Sequence, residues 1–448
     1  MSMRDKHGFD KTELIKGPFK DQIDTPKSDP AVSPNGSPLA VHTGRGKKLN
    51  IWIAIFAILL IGVIVYGIIQ VVNQTKLEPG WYMITAQEDK TVPSYASGTQ
   101  LLYMFTGSSR QTRKQYDGLM SDYSAALKSV YSQLDAHAVC SFCTNIASIN
   151  QNPGKPITVS PELYRTLQDA DRLTREQRGF NLYAGALYEE WNGVLYSEEK
   201  VMFDPLGDPI EAERLSRLAA ATSDLSNFDL KFSQTDVYTV TLTVSDEYVA
   251  LLRELECPNA PTLDLNLLQD AYKLQMVAEI LEAKGYQNGC LTSDSGVSVT
   301  FPNYNAQWTL EGLQDGKIAA AAEYQIPPSA CAVRLRAFSL GGENDPYYAI
   351  QADGKQYFRH PNLASDGVFR ENLTAAVVCS ETRSAPETAL DCLSLFAQDS
   401  PDGVKETARG LGQSSAAFLL RDDPTTLWTT DGTIAAVEEN GYHAEQIP

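Results

Sequence analysis

A stretch of 22 residues without a charged side chain, Ile51–Val72, constrains this chain more than any other feature. As an α-helix rising about 1.5 Å per residue it would be about 33 Å long, enough to cross the hydrocarbon core of a bilayer. It is apolar around its whole circumference, unlike most core helices. It is too long for a cleaved signal peptide, and no small-x-small cleavage site follows it. We therefore predict one transmembrane helix over residues 50–73.

The charges around this stretch predict its orientation. Arg45, Lys47 and Lys48 precede it, and positive residues collect on the cytoplasmic side of membrane helices. Residues 1–49 hold nine Lys and Arg against six Asp and Glu and are rich in Pro and Ser, so we expect a disordered cytoplasmic tail. Because the tail carries a net +3 and the whole chain −19, the remainder carries −22, which excludes a nucleic-acid-binding surface.

After the predicted span, the sequence indicates a linker over residues 74–97 and one large extracytoplasmic domain over residues 98–448. Thr99–Phe105 and Leu373–Ser380 have the apolar, β-branched composition of strands, whereas Leu267–Lys284 has the pattern of a helix. Helical and strand-like segments follow one another without strict alternation. This mixture predicts an α+β fold with a large, mostly antiparallel sheet.

Seven cysteines follow the predicted span, at positions 140, 143, 257, 290, 331, 379 and 392. Cys140 and Cys143 are separated by two residues, a spacing found in redox pairs and in half of a zinc site. A zinc site needs a second pair of ligands with similar spacing, which the sequence lacks, and a thioredoxin-like pair should open a helix rather than follow one. The pattern favours a local disulfide or buried thiols.

The common catalytic motifs GxxxxGK[ST], GxSxG and HExxH do not occur in this sequence. Gly410-x-Gly412 has no third glycine and follows a helical pattern, so we interpret it as a helix end rather than a dinucleotide site. Three histidines follow the predicted span, His137, His360 and His443, and no adjacent motif marks a nucleophile for any of them.

The segment Phe180–Trp191, F-N-L-Y-A-G-A-L-Y-E-E-W, resembles the F-D-x-T-x-G-P-L-x-x-x-W segment of the FAD:protein FMN transferases, the ApbE-like family. Phe180, Gly185, Leu187 and Trp191 match in register. Further segments follow in the family's order and extend the resemblance over about residues 98 to 438. The resemblance implies an ApbE-like fold and an enzyme outside the cytoplasmic membrane. Such an enzyme binds FAD and Mg²⁺ and transfers FMN to a Thr or Ser hydroxyl of a target protein.

The site residues follow from this resemblance. Leu263–Leu265 and Tyr272 are similar to L-D-L-G-G-I-A-K-G-Y, His360 begins a segment similar to H-x-x-D-P-x-T-G, and Asp391 matches the aspartate of A-D-x-x-x-T. The residues implied are Gly185, Asp264, Tyr272 and Asp294 for cofactor binding, Asp391 for the metal and His360 for catalysis.

The polar positions of these motifs depart from the family pattern. Asn181 and Tyr183 replace the Asp and Thr of F-D-x-T, and residues 266–271, N-L-L-Q-D-A, replace the turn G-G-I-A-K-G. Leu395 replaces the threonine of A-D-x-x-x-T and cannot ligate Mg²⁺. Because the apolar framework is kept while the polar site is lost, we predict a catalytically impaired relative that acts as a binding or assembly component with a protein partner in the envelope.

Two other interpretations stay open at this point. One is a divergent but active Mg²⁺-dependent FAD:protein FMN transferase, and the other is an unrelated acidic envelope or sensor ectodomain. We expect weak FAD binding, because Leu267 and Leu268 add side chains where a pyrophosphate would approach the backbone. No cofactor besides FAD and Mg²⁺ is implied, and the bilayer is the expected partner of Ile51–Val72.

The predicted topology can be tested with an added cysteine reporter at position 30 or at position 205. In intact cells, we expect a membrane-impermeant thiol reagent to label the reporter at position 205 and not the one at position 30, because the cations precede the span. The parent chain supplies the background from the native cysteines. Labelling at position 30 without labelling at position 205 would contradict the predicted orientation.

Overall fold

The structure is a computed structural model that describes residues 76–92, 94–176, 179–195, 206–340, 349–352, 355–358 and 370–447. The predicted tail, the predicted transmembrane helix Ile51–Val72 and His360 lie outside these residues. Among the residues that the structure describes, no helix is long and apolar enough to cross a bilayer. Asn73–Pro448 form one compact unit.

Several helices begin where the sequence provides a capping side chain. Ser160 Oγ accepts a hydrogen bond from Leu163 N at 3.1 Å, and Pro161 takes the first helical position. Ser384 and Glu387 form a reciprocal capping box. The α-helices of the described ranges are α1 Ser109–Leu134, α2 Ile146–Asn150, α3 Pro161–Arg175, α4 Gly185–Leu195, α5 Pro209–Ser223, α6 Asp246–Glu254, α7 Gln269–Ala283, α8 Ala385–Phe396 and α9 Pro401–Arg409.

Most strands belong to one large sheet. The strands of the described part of the chain are β1 Gly80–Ile84, β2 Thr99–Phe105, β3 Ile157–Thr158, β4 Phe228–Gln234, β5 Tyr238–Val244, β6 Gly289–Ser293, β7 Val297–Thr300, β8 Ala306–Gln314, β9 Lys317–Ile326, β10 Cys331–Arg336, β11 Ala349–Ala352, β12 Lys355–Phe358, β13 Leu373–Ser380, β14 Ser415–Leu420, β15 Thr426–Thr429, β16 Ala435–Ala436 and β17 His443–Gln446. Nine of them form a sheet in the order β1-β2-β6-β7-β10-β13-β14-β15-β17. Smaller sheets are β16-β9-β8, β3-β5-β4 and β11-β12.

The nine-stranded sheet confirms the predicted α+β class. Its neighbouring strands pair antiparallel, apart from the parallel pair β15–β17. Within the predicted linker and entry segment over residues 74–97, β1 pairs with β2 in register from Gly80–Phe105 to Ile84–Leu101. The sequence concealed this strand because it is short and lies at the sheet edge, where Trp81 and Met83 are exposed. The folded domain therefore includes β1.

Strand β13 separates two hydrophobic cores. Ala376 and Val378 face the larger core, which is filled by the helices, while Ala375 and Val377 face a second core under β8 and β9. This alternation follows from the two-residue repeat of a strand. Both faces are apolar, so β13 reads as a continuous apolar run in the sequence. The domain thus has three layers: helices, the nine-stranded sheet and the small sheet β16-β9-β8.

The segment that carried the family resemblance is part of the larger core. Phe180, Leu187 and Trp191 are buried. Gly185, implied for cofactor binding, is the first residue of α4. A Cβ atom at Gly185 would lie 2.5 Å from the carbonyl oxygen of Pro261, so the glycine is needed for close packing of two chain segments.

Replacing Trp191 with Ala is expected to lower the free energy of unfolding by about 3–5 kcal/mol, because the indole is fully buried and its loss leaves a cavity. Urea denaturation followed by circular dichroism measures this change. Trp81→Ala is the matched control and should cost much less, because Trp81 is 46% exposed. Equal costs for the two variants would contradict the assignment of Trp191 to the core.

Candidate functional site

The structure brings Asp264 and the Phe180–Trp191 segment together. Asp264 is buried, and its backbone N donates to Leu182 O at 2.9 Å. Its Oδ1 accepts a hydrogen bond from Asn266 N at 2.7 Å, and its Oδ2 lies 3.6 Å from His137 Nε2. This contact raises the pKa of the His137 imidazole, because the carboxylate favours the protonated ring. The Asp264 carboxylate therefore stabilises the turn at Asn266 and contacts the His137 ring.

The turn after Asp264 replaces the glycine-rich family turn without projecting its leucines outward. Asn266 has φ +36°, in the left-handed region that glycine favours. The expectation that Leu267 and Leu268 obstruct the backbone is corrected here: Leu268 is fully buried in the larger core, and Leu267 packs against it. The charge of the turn differs from the family pattern, because Asp270 takes the position of the family's lysine. Asp270 Oδ1 lies 2.7 Å from Nζ of the buried Lys273.

Both residues that depart from F-D-x-T are engaged within the fold. Asn181 Nδ2 donates to Thr222 O at 2.8 Å, and Asn181 Oδ1 accepts from Tyr183 N at 2.9 Å. The Tyr183 hydroxyl donates to Asp171 Oδ1 at 2.5 Å, and its ring stacks on Phe228 with centroids 4.8 Å apart. Contacts within the fold therefore satisfy the polar groups of both side chains.

Tyr272 lies in a second polar group, where α3, α7 and α8 meet. Its hydroxyl donates to Asp169 Oδ2 at 2.9 Å, and burial raises its pKa far above the ordinary value, so it remains a donor. Arg172 Nη2 donates to Asp169 Oδ1 at 2.6 Å and to Glu387 Oε1 at 2.9 Å. A pocket of about 280 Å³ opens beside Tyr272, Asp169 and Glu387. Tyr272 therefore stabilises helix packing.

Asp391, the residue expected to ligate a metal, is paired with an arginine. Its side chain has no exposed surface. Arg383 Nη1 donates to Asp391 Oδ1 at 3.3 Å, and Arg383 Nε lies 3.2 Å from Oδ2. Ser394, one turn along the helix, donates its hydroxyl to the Asp391 carbonyl oxygen at 2.7 Å. Arg383 and Asp391 line a pocket of about 600 Å³ together with Ser394, Gln398 and Thr407.

These residues do not fit Mg²⁺. The ion prefers octahedral coordination by oxygen ligands. The guanidinium of Arg383 faces both oxygens of Asp391, and Leu395, at the family's threonine position, is buried among apolar side chains. Within the described ranges, no three His, Cys, Asp or Glu side chains are grouped so that they could hold a metal ion.

Asp294 and His360 were the remaining predicted site residues. Asp294 lies in the turn between β6 and β7, where its backbone N donates to Gly98 O at 2.8 Å. His360 lies outside the described residues, so its catalytic assignment stays a prediction.

Sequence reasoning missed the partners Arg383 and His137. Arg383 directly precedes Ser384, the N-cap of α8. Its position just before the helix that carries Asp391 was the available signal for this ion pair. His137 contacts Asp264 across more than a hundred residues of sequence, and the sequence contained no signal for that contact.

Replacing Arg383 with Met should lower the free energy of unfolding by about 3 kcal/mol, because the fully buried Asp391 carboxylate would lose its guanidinium partner. Chemical denaturation measures the loss, and Arg383→Met with Asp391→Leu should recover part of it. The matched control is Arg421→Met, which removes an exposed ion pair with Glu371 worth about 0–1 kcal/mol. Similar losses at Arg383 and Arg421 would contradict a buried ion pair.

Comparison with known proteins agrees with the family resemblance. A comparison with curated proteins gave no match. Similar solved structures include an ApbE protein from Thermotoga maritima, with 14% identity, 73% of this chain and 92% of that chain covered, and a TM-score of 0.49. The Vibrio cholerae flavin transferase ApbE has 12% identity, 73% and 91% coverage, and a TM-score of 0.48. The Pseudomonas stutzeri flavinyl transferase ApbE has 14% identity, 80% and 94% coverage, and a TM-score of 0.48. The model of the ApbE family matches residues 109–359, more than half of the chain, and the chain therefore belongs to the ApbE family.

Proposed function

We propose that this chain is a membrane-anchored, extracytoplasmic member of the ApbE family that does not transfer FMN and instead acts as a binding or assembly component. The observation that carries the proposal is the ion pair between Arg383 and the fully buried Asp391. A cation cannot approach the carboxylate oxygens from the side that the guanidinium fills. Without Mg²⁺ the negative charge of a pyrophosphate would have no metal to neutralise it.

The other cations around the site support the proposal, because carboxylates neutralise them. Lys273 binds Asp270, and Arg175 binds Asp171 at 2.9 Å. Arg172 is shared among Asp169, Glu176 and Glu387. An anionic dinucleotide would have to displace these carboxylates, and the net charge of −22 beyond the tail opposes its approach.

Membrane attachment rests on the sequence. The uncharged stretch Ile51–Val72 supports one transmembrane helix, and Arg45, Lys47 and Lys48 support a cytoplasmic N-terminus. We propose that the bilayer holds the domain close to an envelope protein, so that a weak protein–protein contact suffices for binding.

A second candidate is a divergent but active flavin transferase. The pocket of about 600 Å³ beside Asp391 favours it, because this pocket adjoins the residue that matches the family's metal-binding aspartate. In that case Arg383 would have to leave Asp391 before Mg²⁺ could bind. The two candidates differ in metal dependence and in product.

The transfer assay separates the two candidates. The full-length protein is incubated with FAD, Mg²⁺ and a protein that carries an acceptor threonine, and in-gel flavin fluorescence detects the product. We expect no fluorescent product, whereas an active flavin transferase of the family labels the same acceptor. A product that this chain forms and Asp391→Ala abolishes would establish the active-enzyme interpretation.

Metal binding gives a matched test that does not depend on an acceptor protein. Electron paramagnetic resonance of Mn²⁺ should show no ion bound by the native chain. The variant Arg383→Ser with Leu395→Thr removes the guanidinium from Asp391, restores the threonine of A-D-x-x-x-T and is the positive control. Mn²⁺ binding by the native chain that is lost in Asp391→Asn would remove the main support of the proposal.

A further inference from the structure

Strand β1, at the edge of the nine-stranded sheet, carries apolar side chains on both of its faces. Tyr82 and Ile84 contact the larger core. Because the side chains of a strand alternate, Trp81 and Met83 point to the opposite face, where they are 46% and 52% exposed. Within the described ranges β1 pairs with β2 alone, so these two side chains lie at the border of the sheet.

Strand β2 continues the same apolar face. Met104 lies directly opposite Trp81, and Leu102 lies directly opposite Met83, and both are partly exposed. In the described part of the chain, none of these four residues belongs to the larger core or to the second core. The Tyr304 ring lies against the Trp81 ring, with centroids 4.6 Å apart. Trp81, Met83, Leu102 and Met104 thus form one apolar surface, which we call the Trp81 face.

The Trp81 face is uncharged although the domain is strongly acidic. The five residues of β1 and the seven of β2 include no Asp, Glu, Lys or Arg, whereas the chain beyond the tail carries −22. The exposed side chain nearest to it along the same face of β2 is that of Gln100, a neutral amide. A contiguous apolar surface that is exposed on a folded domain marks an interaction site. The expected partner offers apolar groups and no strong charge.

The sequence brings the Trp81 face close to the predicted transmembrane helix. Leu77 is already tied to the folded domain, because its backbone N donates to Ser109 O at 3.3 Å. Only five residues of chain lead from Val72 to Leu77, and at no more than about 3.6 Å per residue they reach about 18 Å. Trp81 follows four residues later. An anchor that ends at Val72 therefore keeps the Trp81 face within reach of the bilayer surface.

We propose that the Trp81 face rests on the outer surface of the bilayer, with the Trp81 indole at the level of the lipid headgroups. This inference rests on the membrane anchor of the proposed function. Trp and Tyr favour the membrane–water interface, because their rings are apolar and carry one polar group. The short connection to the anchor keeps the local lipid concentration high, so a small apolar area suffices for contact. The net charge of −22 opposes an anionic surface, so the matching lipid is zwitterionic.

The test follows the fluorescence of Trp81 in full-length protein reconstituted into phosphatidylcholine vesicles. Trp52→Phe first removes the tryptophan of the predicted span. Subtracting the spectrum of the same protein with Trp81→Phe then isolates the Trp81 emission, because both proteins share Trp191, Trp308 and Trp428. Bromine quenches indoles that contact the lipid. We expect phosphatidylcholine brominated near its headgroup to lower the Trp81 emission about twofold relative to unbrominated lipid.

A charge placed on the Trp81 face should separate it from the lipid. Met83→Asp keeps the Trp81 reporter, and we expect it to abolish the quenching and to shift the Trp81 emission to the red, because water then reaches the indole. Val237→Asp is the matched control and should retain the twofold quenching. Val237 is 53% exposed, like Met83, but lies in the turn between β4 and β5. Circular dichroism spectra should be the same for both variants, because both positions are exposed.

Flotation of the vesicles after a wash at high pH reports separately on the anchor. A chain that floats while its Trp81 emission stays unquenched would overturn the lipid contact and leave the anchor standing. A chain that does not float would refute the anchor and the inference with it. Trp81 emission that lipid does not quench, but that shifts to the blue as the ratio of protein to lipid rises, would assign the Trp81 face to a second copy of this chain.

Discussion

The pairing of Asp391 with Arg383 is the interaction on which the rest of the site depends. A carboxylate without exposed surface is costly unless a cation and hydrogen bonds compensate its lost hydration. A divalent metal or a guanidinium can supply that compensation, and each excludes the other because both must face the same oxygens. Arg383 faces the carboxylate of helix α8, and the neighbouring hydroxyl of Ser394 donates to the helix backbone.

The residues that depart from the family motifs are integrated into the fold. Asn181 ties the α4 segment to Thr222, Tyr183 stacks on Phe228, and Lys273 is neutralised by Asp270. Each of these side chains is satisfied by contacts within the protein. Mutating a single position back toward the family pattern would leave the other internal contacts in place.

The sequence predicted those parts of the fold that local patterns determine. The bounds of β2 and β13 follow from their apolar runs. The hairpin β8–β9 was not predicted, because β9 is rich in alanine, which strands rarely favour. For the site, motif order located Asp264 and Asp391, whereas the contact of Asp264 with His137 depends on tertiary structure that no local pattern encodes. Arg383 lies just before the helix that carries Asp391, so the sequence did offer a signal for that pair.

Strand β13 has a consequence for how the domain unfolds. Its alternate residues belong to different cores. A register slip of one residue would therefore move each β13 side chain from its own core to the other one. The packing of both cores depends on the register of β13, and loss of this register would disrupt both cores together. The layers on the two sides of the sheet are therefore thermodynamically coupled, and the domain is expected to melt in a single cooperative transition rather than layer by layer.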